Sequence, residues 1–138
     1  MKSARRRSRE FALQGLYAWQ MTHSPAAEIA AQLAESRGFD KADRDYFHRL
    51  LGGAVSQAEE LQRLIAPALD RPAGEISPVE LGILLLAAHE LRSVPEVPYK
   101  VVINEAVELA KSFGGTDGHK YVNGVLDKLA RSLRPQSA

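Results

Sequence analysis

Prolines and glycines cut this chain into helix-length segments. Nowhere between them does hydrophobicity alternate with the period of two that a half-buried strand requires. All seven prolines fall where helices should begin or end. The expected fold is therefore all-α, with about seven helices in two halves. A first helix should run from about Ser3 to Gln20. Ser24-Pro25 reads as a cap followed by proline at the first helical position, opening a second helix that ends at Gly38. Asp40 and Asp43 resemble a capping box for a third helix, which should break at Gly52-Gly53. A fourth continues to Ala66. Ser77-Pro78-Val79-Glu80 is the clearest start signal, with a serine cap, proline at the first position and glutamate at the third. The helix it opens is apolar nearly all round and should be buried. Pro98 begins the next, stopped by Gly114-Gly115, and a last helix capped by Thr116 or Asp117 ends before Pro135. Residues 67–76 form the expected linker between halves of about 1–66 and 77–134 within one domain of residues 1–138.

The chain has 138 residues, enough for one domain, and contains no cysteine. That excludes disulfides, a thiol nucleophile and cysteine-bound metals, and suits a reducing cytoplasm. The longest apolar run, Leu81 to Ala88, is far too short to span a membrane. A net charge of +1 conceals an asymmetry. Lys2, Arg5, Arg6, Arg7 and Arg9 lie in the first nine residues with no acid among them, whereas the remainder is acidic overall. Glu10, Gln14 and Gln20 interrupt any apolar stretch after these arginines, which argues against an export signal.

On a regular first helix, Ala12, Leu16 and Trp19 form an inward stripe, and Arg9 and Arg5 continue it. Buried guanidinium groups need partners, so this end is expected to overhang the body or fray. The macrodipole also opposes positive charge at a helix start. Such a placement suggests a partner that supplies negative charge, and arginine in place of lysine suits phosphate forks and base stacking. Five contacts to single-stranded phosphates would give a log–log salt slope of at most about −3.5. The plainer reading is a solvated basic tail.

His23, His48, His89 and His119 are dispersed, without the spacing of metal ligands, so no metal and no cofactor are expected. His89 on the buried helix reads as a core residue, and His89-Glu90 as a poor acid–base pair because adjacent helical residues diverge by about 100°. No nucleophile elbow or phosphate loop is present, so no catalytic residue is assigned. Residues 114–118 read as a helix stop and cap. Just past them, His119, Lys120 and Tyr121 place cationic character beside an aromatic ring, a combination that can hold phosphate and stack on a base. Tyr121 equally reads as a core-edge residue. Gly15, Gly82 and Gly124 are expected to allow close helix approach, and Asn104 and Asn123 to satisfy backbone groups across the bundle.

Three segments together resemble the NusB family of antitermination factors. Arg5-Arg6-Arg7-Ser8-Arg9-Glu10, running into Ala12-Leu13-Gln14-Gly15-Leu16-Tyr17-Ala18-Trp19-Gln20, resembles the family's opening. Ile76-Ser77-Pro78-Val79-Glu80 through Leu91 resembles its central helix. Val97-Pro98-Tyr99-Lys100-Val101-Val102-Ile103-Asn104-Glu105-Ala106-Val107-Glu108-Leu109-Ala110-Lys111, then Tyr121-Val122-Asn123-Gly124-Val125-Leu126-Asp127, resembles its most diagnostic stretch. The resemblance implies that these helices form two small packed bundles, and that the chain is a non-catalytic cytoplasmic factor that binds single-stranded boxA RNA together with NusE, a small-subunit ribosomal protein. It would act with RNA polymerase and other Nus factors to read through terminators. It implies RNA contacts at Arg5, Arg6, Arg7, Arg9, Asp117, Lys120 and Tyr121, to which the basic pair adds His119. It places Glu75 and Glu80 toward NusE. Leu81-Gly82, Leu85 and His89 depart from residues common in the family, and Leu81 and Leu85 would make a partner-facing surface more apolar. The rival readings are a DNA-binding helical regulator, a generic basic-tailed module, and the accessory domain of an RNA methyltransferase.

Overall fold

The computed structural model describes residues 2–135, and these form seven α-helices joined by short loops and 3-10 turns. The helices are α1 (Ala4–Thr22), α2 (Ala26–Leu33), α3 (Arg44–Ser56), α4 (Ala58–Ile65), α5 (Pro78–Ser93), α6 (Tyr99–Phe113) and α7 (Gly118–Leu133). The chain divides into two compact units, one ending at Gln57 and the other beginning at Ala58.

In the first unit, α1 packs on α3 and α2, and α2 packs on α3. Ala12 and Leu16 of α1 are fully buried with Phe47, Leu50 and Ala54 of α3, whereas Trp19 is half-buried. Gly15 has the close approach expected of it. A Cβ there would lie 2.9 Å from Leu51 Cδ2 and 3.2 Å from Leu33 Cδ1. Asp43 caps α3, its Oδ1 accepting the Tyr46 amide at 3.0 Å. Three local expectations are revised. Residues 39–41 make a 3-10 turn, so Asp40 starts no long helix. The second helix stops at Leu33, well short of Gly38, which takes a left-handed φ of 89° before that turn. The third helix runs through Gly52 and Gly53. Buried Leu50, Leu51 and Ala54 flank the glycine pair, and their packing outweighs its poor propensity.

In the second unit, α5 is the core element, with every residue from Gly82 to Leu91 buried. Its start follows the sequence signal: the Ser77 hydroxyl accepts the Glu80 amide at 3.2 Å, with Pro78 at the first position. Helices α4, α6 and α7 pack on it, and α6 packs on α7. Leu85 is fully buried and Leu81 half-buried, so Leu85 belongs to the core and adds nothing to an outer face. His89 is also core, at 4% exposure. Gly124 sits on an open face where a Cβ would meet nothing within 4 Å, so it mediates no close packing. Asn104 and Asn123 are exposed, not turned across the bundle.

The boundary between units differs from the expected linker. Residues 67–76 belong to the second unit and carry 3-10 turns at Ala66–Ala68 and Ala73–Glu75. Helix α4, which precedes them, packs on α5, and α7 touches the first of those turns. The far end of α5 is closed by Arg134, whose guanidinium donates to the carbonyls of Glu90, Leu91, Val94 and Val97. These include acceptors that a helix end leaves without intrahelical partners.

Candidate nucleic-acid interface

The arginine-rich start is an ordered part of α1, and it neither overhangs nor frays. Ser3 caps the helix, its hydroxyl accepting the Arg6 amide at 3.0 Å. Ser8 is fully buried, with its hydroxyl 2.6 Å from the Asp43 carbonyl and 3.0 Å from that of Ala4. The Asp43 amide in turn donates to the Ala4 carbonyl at 3.3 Å. The first turns of α1 are thereby fastened to the start of α3. The guanidinium groups on the inward stripe also find the partner that sequence spacing could not name. It is Tyr46, one turn into α3. Its ring lies 4.3 Å from Arg5 Cζ and 5.3 Å from Arg9 Cζ, and Arg9 donates to its hydroxyl at 3.4 Å. Such ring–guanidinium contacts contribute about 0.5–2 kcal/mol each, rising as water is excluded.

This arrangement divides the basic residues by role. Arg9 is 4% exposed and is built into the fold. Arg5 is exposed, stacked on Tyr46 and 4.0 Å from Asp43. Lys2 pairs with Glu10 at 2.8 Å. Arg6 and Arg7 are half-buried, and no carboxylate of the described residues pairs with Arg7.

In the second unit the loop after α6 carries the other candidate residues. Gly114 ends α6, and Asp117 adopts a left-handed φ of 65° at the cap position of α7. Its side chain makes no capping bond; instead Oδ1 lies 3.3 Å from Lys120 Nζ, both groups being exposed. His119 and Tyr121 are half-buried on the first turn of α7. Tyr121 is covered on one face by Arg71, whose Cζ lies 4.6 Å from the ring centroid. Arg71 also donates to both carboxylate oxygens of Asp70, at 2.9 and 3.4 Å. That hydrogen bond, opposed by some desolvation, holds the Asp70 carboxyl below its usual range. Burial raises the Tyr121 hydroxyl, and the Asp70 carboxylate adds to the effect. A shallow cavity of about 180 Å³ opens here, lined by Ala68, Asp70, Lys120, Tyr121, Gly124 and Lys128. Arg71 is the residue that sequence reasoning missed. Its signal was an arginine among the prolines and glycines of a segment that reads as linker.

Glu75 is exposed at the end of a 3-10 turn, and Glu80 is half-buried at the start of α5, where its Oε2 accepts the Gly115 amide at 3.1 Å. Among the described residues no group of three or more acidic, histidine or cysteine side chains is arranged to hold a metal ion. No helix among them is long and apolar enough to cross a membrane.

Two helical units, each carrying cationic side chains around a tyrosine ring, define a small all-helical protein. The chain belongs to the NusB family, whose sequence pattern matches residues 6–131. A transcription antitermination protein NusB from Paraburkholderia phytofirmans is 60% identical over 134 residues, covering 97% of this chain and 93% of that one. The NusB of Nitrosospira multiformis is 61% identical over 126 residues, covering 91% and 80% respectively. Among solved structures, T. maritima NusB superposes with a TM-score of 0.85 at 27% identity, over 95% of this chain and 93% of that one. A structure described as antitermination factors NusB and NusE in complex with dsRNA superposes with a TM-score of 0.81 at 25% identity. It covers 92% of this chain and 96% of that chain.

Proposed function

We propose that this chain is a non-catalytic RNA-binding adaptor of transcription antitermination. It binds single-stranded boxA RNA together with NusE, and with RNA polymerase and the other Nus factors it promotes read-through, notably in ribosomal RNA operons. Its place of action is the cytoplasm, where transcripts emerge. The observation that carries this reading is the family match across residues 6–131, which takes in both the arginine-rich start and the loop before α7. The related structure holding NusB, NusE and double-stranded RNA supports the joint engagement of NusE and RNA.

Within that reading Arg6 and Arg7 contact phosphates directly. Arg5, exposed and stacked on Tyr46, joins them, whereas Arg9 shares that ring and sets the angle at which the basic turn meets the strand, since a side chain 4% exposed cannot reach a phosphate without leaving its ring. Asp117, His119, Lys120 and Tyr121 supply the second contact region, where an aromatic ring beside a cation suits an unpaired base. Glu75, exposed, and Glu80, half-buried with one carboxylate oxygen on the Gly115 amide, are the acidic positions that border NusE. A small domain with few phosphate contacts binds RNA weakly alone, and a second protein raises affinity by adding surface to the same strand.

The test is co-elution on size exclusion with purified NusE, with and without a boxA-type RNA. Formation of a one-to-one pair that takes up RNA supports the reading. Separate elution of the two proteins under both conditions overturns it.

A further inference from the structure

The Glu80 carboxylate lies in a hollow made by the glycines of the loop before α7. Its Oε2 accepts the Gly115 amide at 3.1 Å. A Cβ on Gly118 would lie 2.6 Å from that oxygen and 3.0 Å from Cδ, and one on Gly114 would lie 3.0 Å from the oxygen. A side chain at Gly118 would displace this carboxylate, and one at Gly114 would also meet the Ala110 carbonyl oxygen at 2.7 Å. The other end of Glu80 is equally fixed, because its amide donates to the Ser77 cap at the start of α5. The carboxylate also stands beside Gly118, the first residue of α7, where the helix dipole favours negative charge. Between Gly115 and Gly118, Asp117 sits at a φ of 65°, a left-handed conformation that aspartate tolerates better than most non-glycine residues.

We propose that Glu80 is a positioning residue for RNA recognition: its carboxylate clasps the Gly114–Gly118 turn and so sets where Asp117, His119, Lys120 and Tyr121 meet the RNA. The inference rests on the RNA-binding reading above. It gives Glu80 a role inside the fold, acting through the loop and touching no nucleotide. It also predicts an unusual sign. A carboxylate near a polyanion opposes binding electrostatically, so a residue acting by charge alone would be better removed. A clasp, by contrast, is needed.

The experiment compares wild type, Glu80→Gln, Glu80→Ala and Gly118→Ala by anisotropy titration against a boxA-type RNA at two salt concentrations. Gly115 amide exchange is followed by NMR in the free proteins. Glutamine keeps an oxygen that can accept the Gly115 amide, whereas alanine does not. The expected result is near wild-type affinity for Glu80→Gln and a loss of about tenfold for Glu80→Ala and Gly118→Ala. The salt slope should stay the same in all four proteins because no phosphate contact is lost. Gly115 exchange should quicken in the two alanine variants while far-UV helicity and the amide resonances of α5 and α6 stay native. Tighter binding by both Glu80 variants would show charge repulsion and overturn the proposal. Unchanged affinity in Glu80→Ala would overturn it also. A wild type that shows no preference for boxA overturns the RNA reading itself, and the Gly115 exchange data then tell whether the clasp exists apart from it.

Discussion

Replacing Arg9 by Ala should unfold the first unit more readily, while replacing Arg7 by Ala should not, although both belong to one basic run. Arg9 is 4% exposed and its guanidinium lies 5.3 Å from the Tyr46 centroid. Truncation removes two buried methylenes, at about 0.8 kcal/mol each, and a ring contact of about 1 kcal/mol. Relief of guanidinium desolvation offsets part of this, leaving an expected loss of about 2 kcal/mol. Arg7 is half-buried and no carboxylate of the described residues pairs with it, so its truncation should change stability by less than about 0.5 kcal/mol. The assay is urea denaturation followed by the fluorescence of Trp19, the only tryptophan, which lies on α1 with its ring edge-on to His23. RNA affinity is measured on the same samples below the unfolding transition. Arg7→Ala should weaken RNA binding and flatten its salt slope by about 0.7. If Arg9→Ala kept full stability and lost RNA binding as Arg7→Ala does, the division of roles drawn from Tyr46 would be wrong.

Other substitutions test the packing on which the site stands. Gly15→Ala should destabilise by about 1–2 kcal/mol in urea, because its methyl meets Leu51 and Leu33, whereas Gly124→Ala on its open helical face should stabilise by about 0.5–1 kcal/mol. Arg134→Ala leaves the Leu91 and Val97 carbonyls without the guanidinium donor, while those of Glu90 and Val94 keep backbone amides, and should cost about 2–3 kcal/mol, seen as earlier loss of far-UV helicity in urea. The Asp70 carboxyl is held below its ordinary value of 3.8, so its contribution is full above that pH and is lost as pH falls through the lowered folded-state value. NMR should accordingly show Asp70 titrating below 3.8, with Tyr121 ring resonances moving as Arg71 is released, and Asp70→Asn should abolish that movement.

Local chemistry makes much of this protein legible from its sequence. The Ser77 cap, proline at 78, the stop at Gly114 and the end before Pro135 are each decided within a few residues, and each lies where the pattern puts it. Gly52 and Gly53 mislead because the force that carries α3 through them comes from Leu50, Leu51 and Ala54, buried in the core of the first unit. The arginines stand out as a group in the sequence, but their division does not. Tyr46 is 37 residues from Arg9, and no periodicity on α1 reveals which ring on α3 will cover it. Arg71 over Tyr121, Glu80 in the glycine turn and Arg134 on the end of α5 share that character. Each joins segments whose local patterns are complete without the other, so the pairing is settled only when the helices pack.

An adaptor of this kind reads a particular RNA jointly with a protein partner. The measurement that tests it most directly is a fluorescence-anisotropy titration with a boxA-type RNA and a scrambled control, with and without NusE, at two salt concentrations. The expected result is a preference for boxA that sharpens when NusE is added. Equal and equally salt-sensitive binding to both RNAs under every condition would contradict it, reducing the arginines of α1 to a general attraction for polyanions.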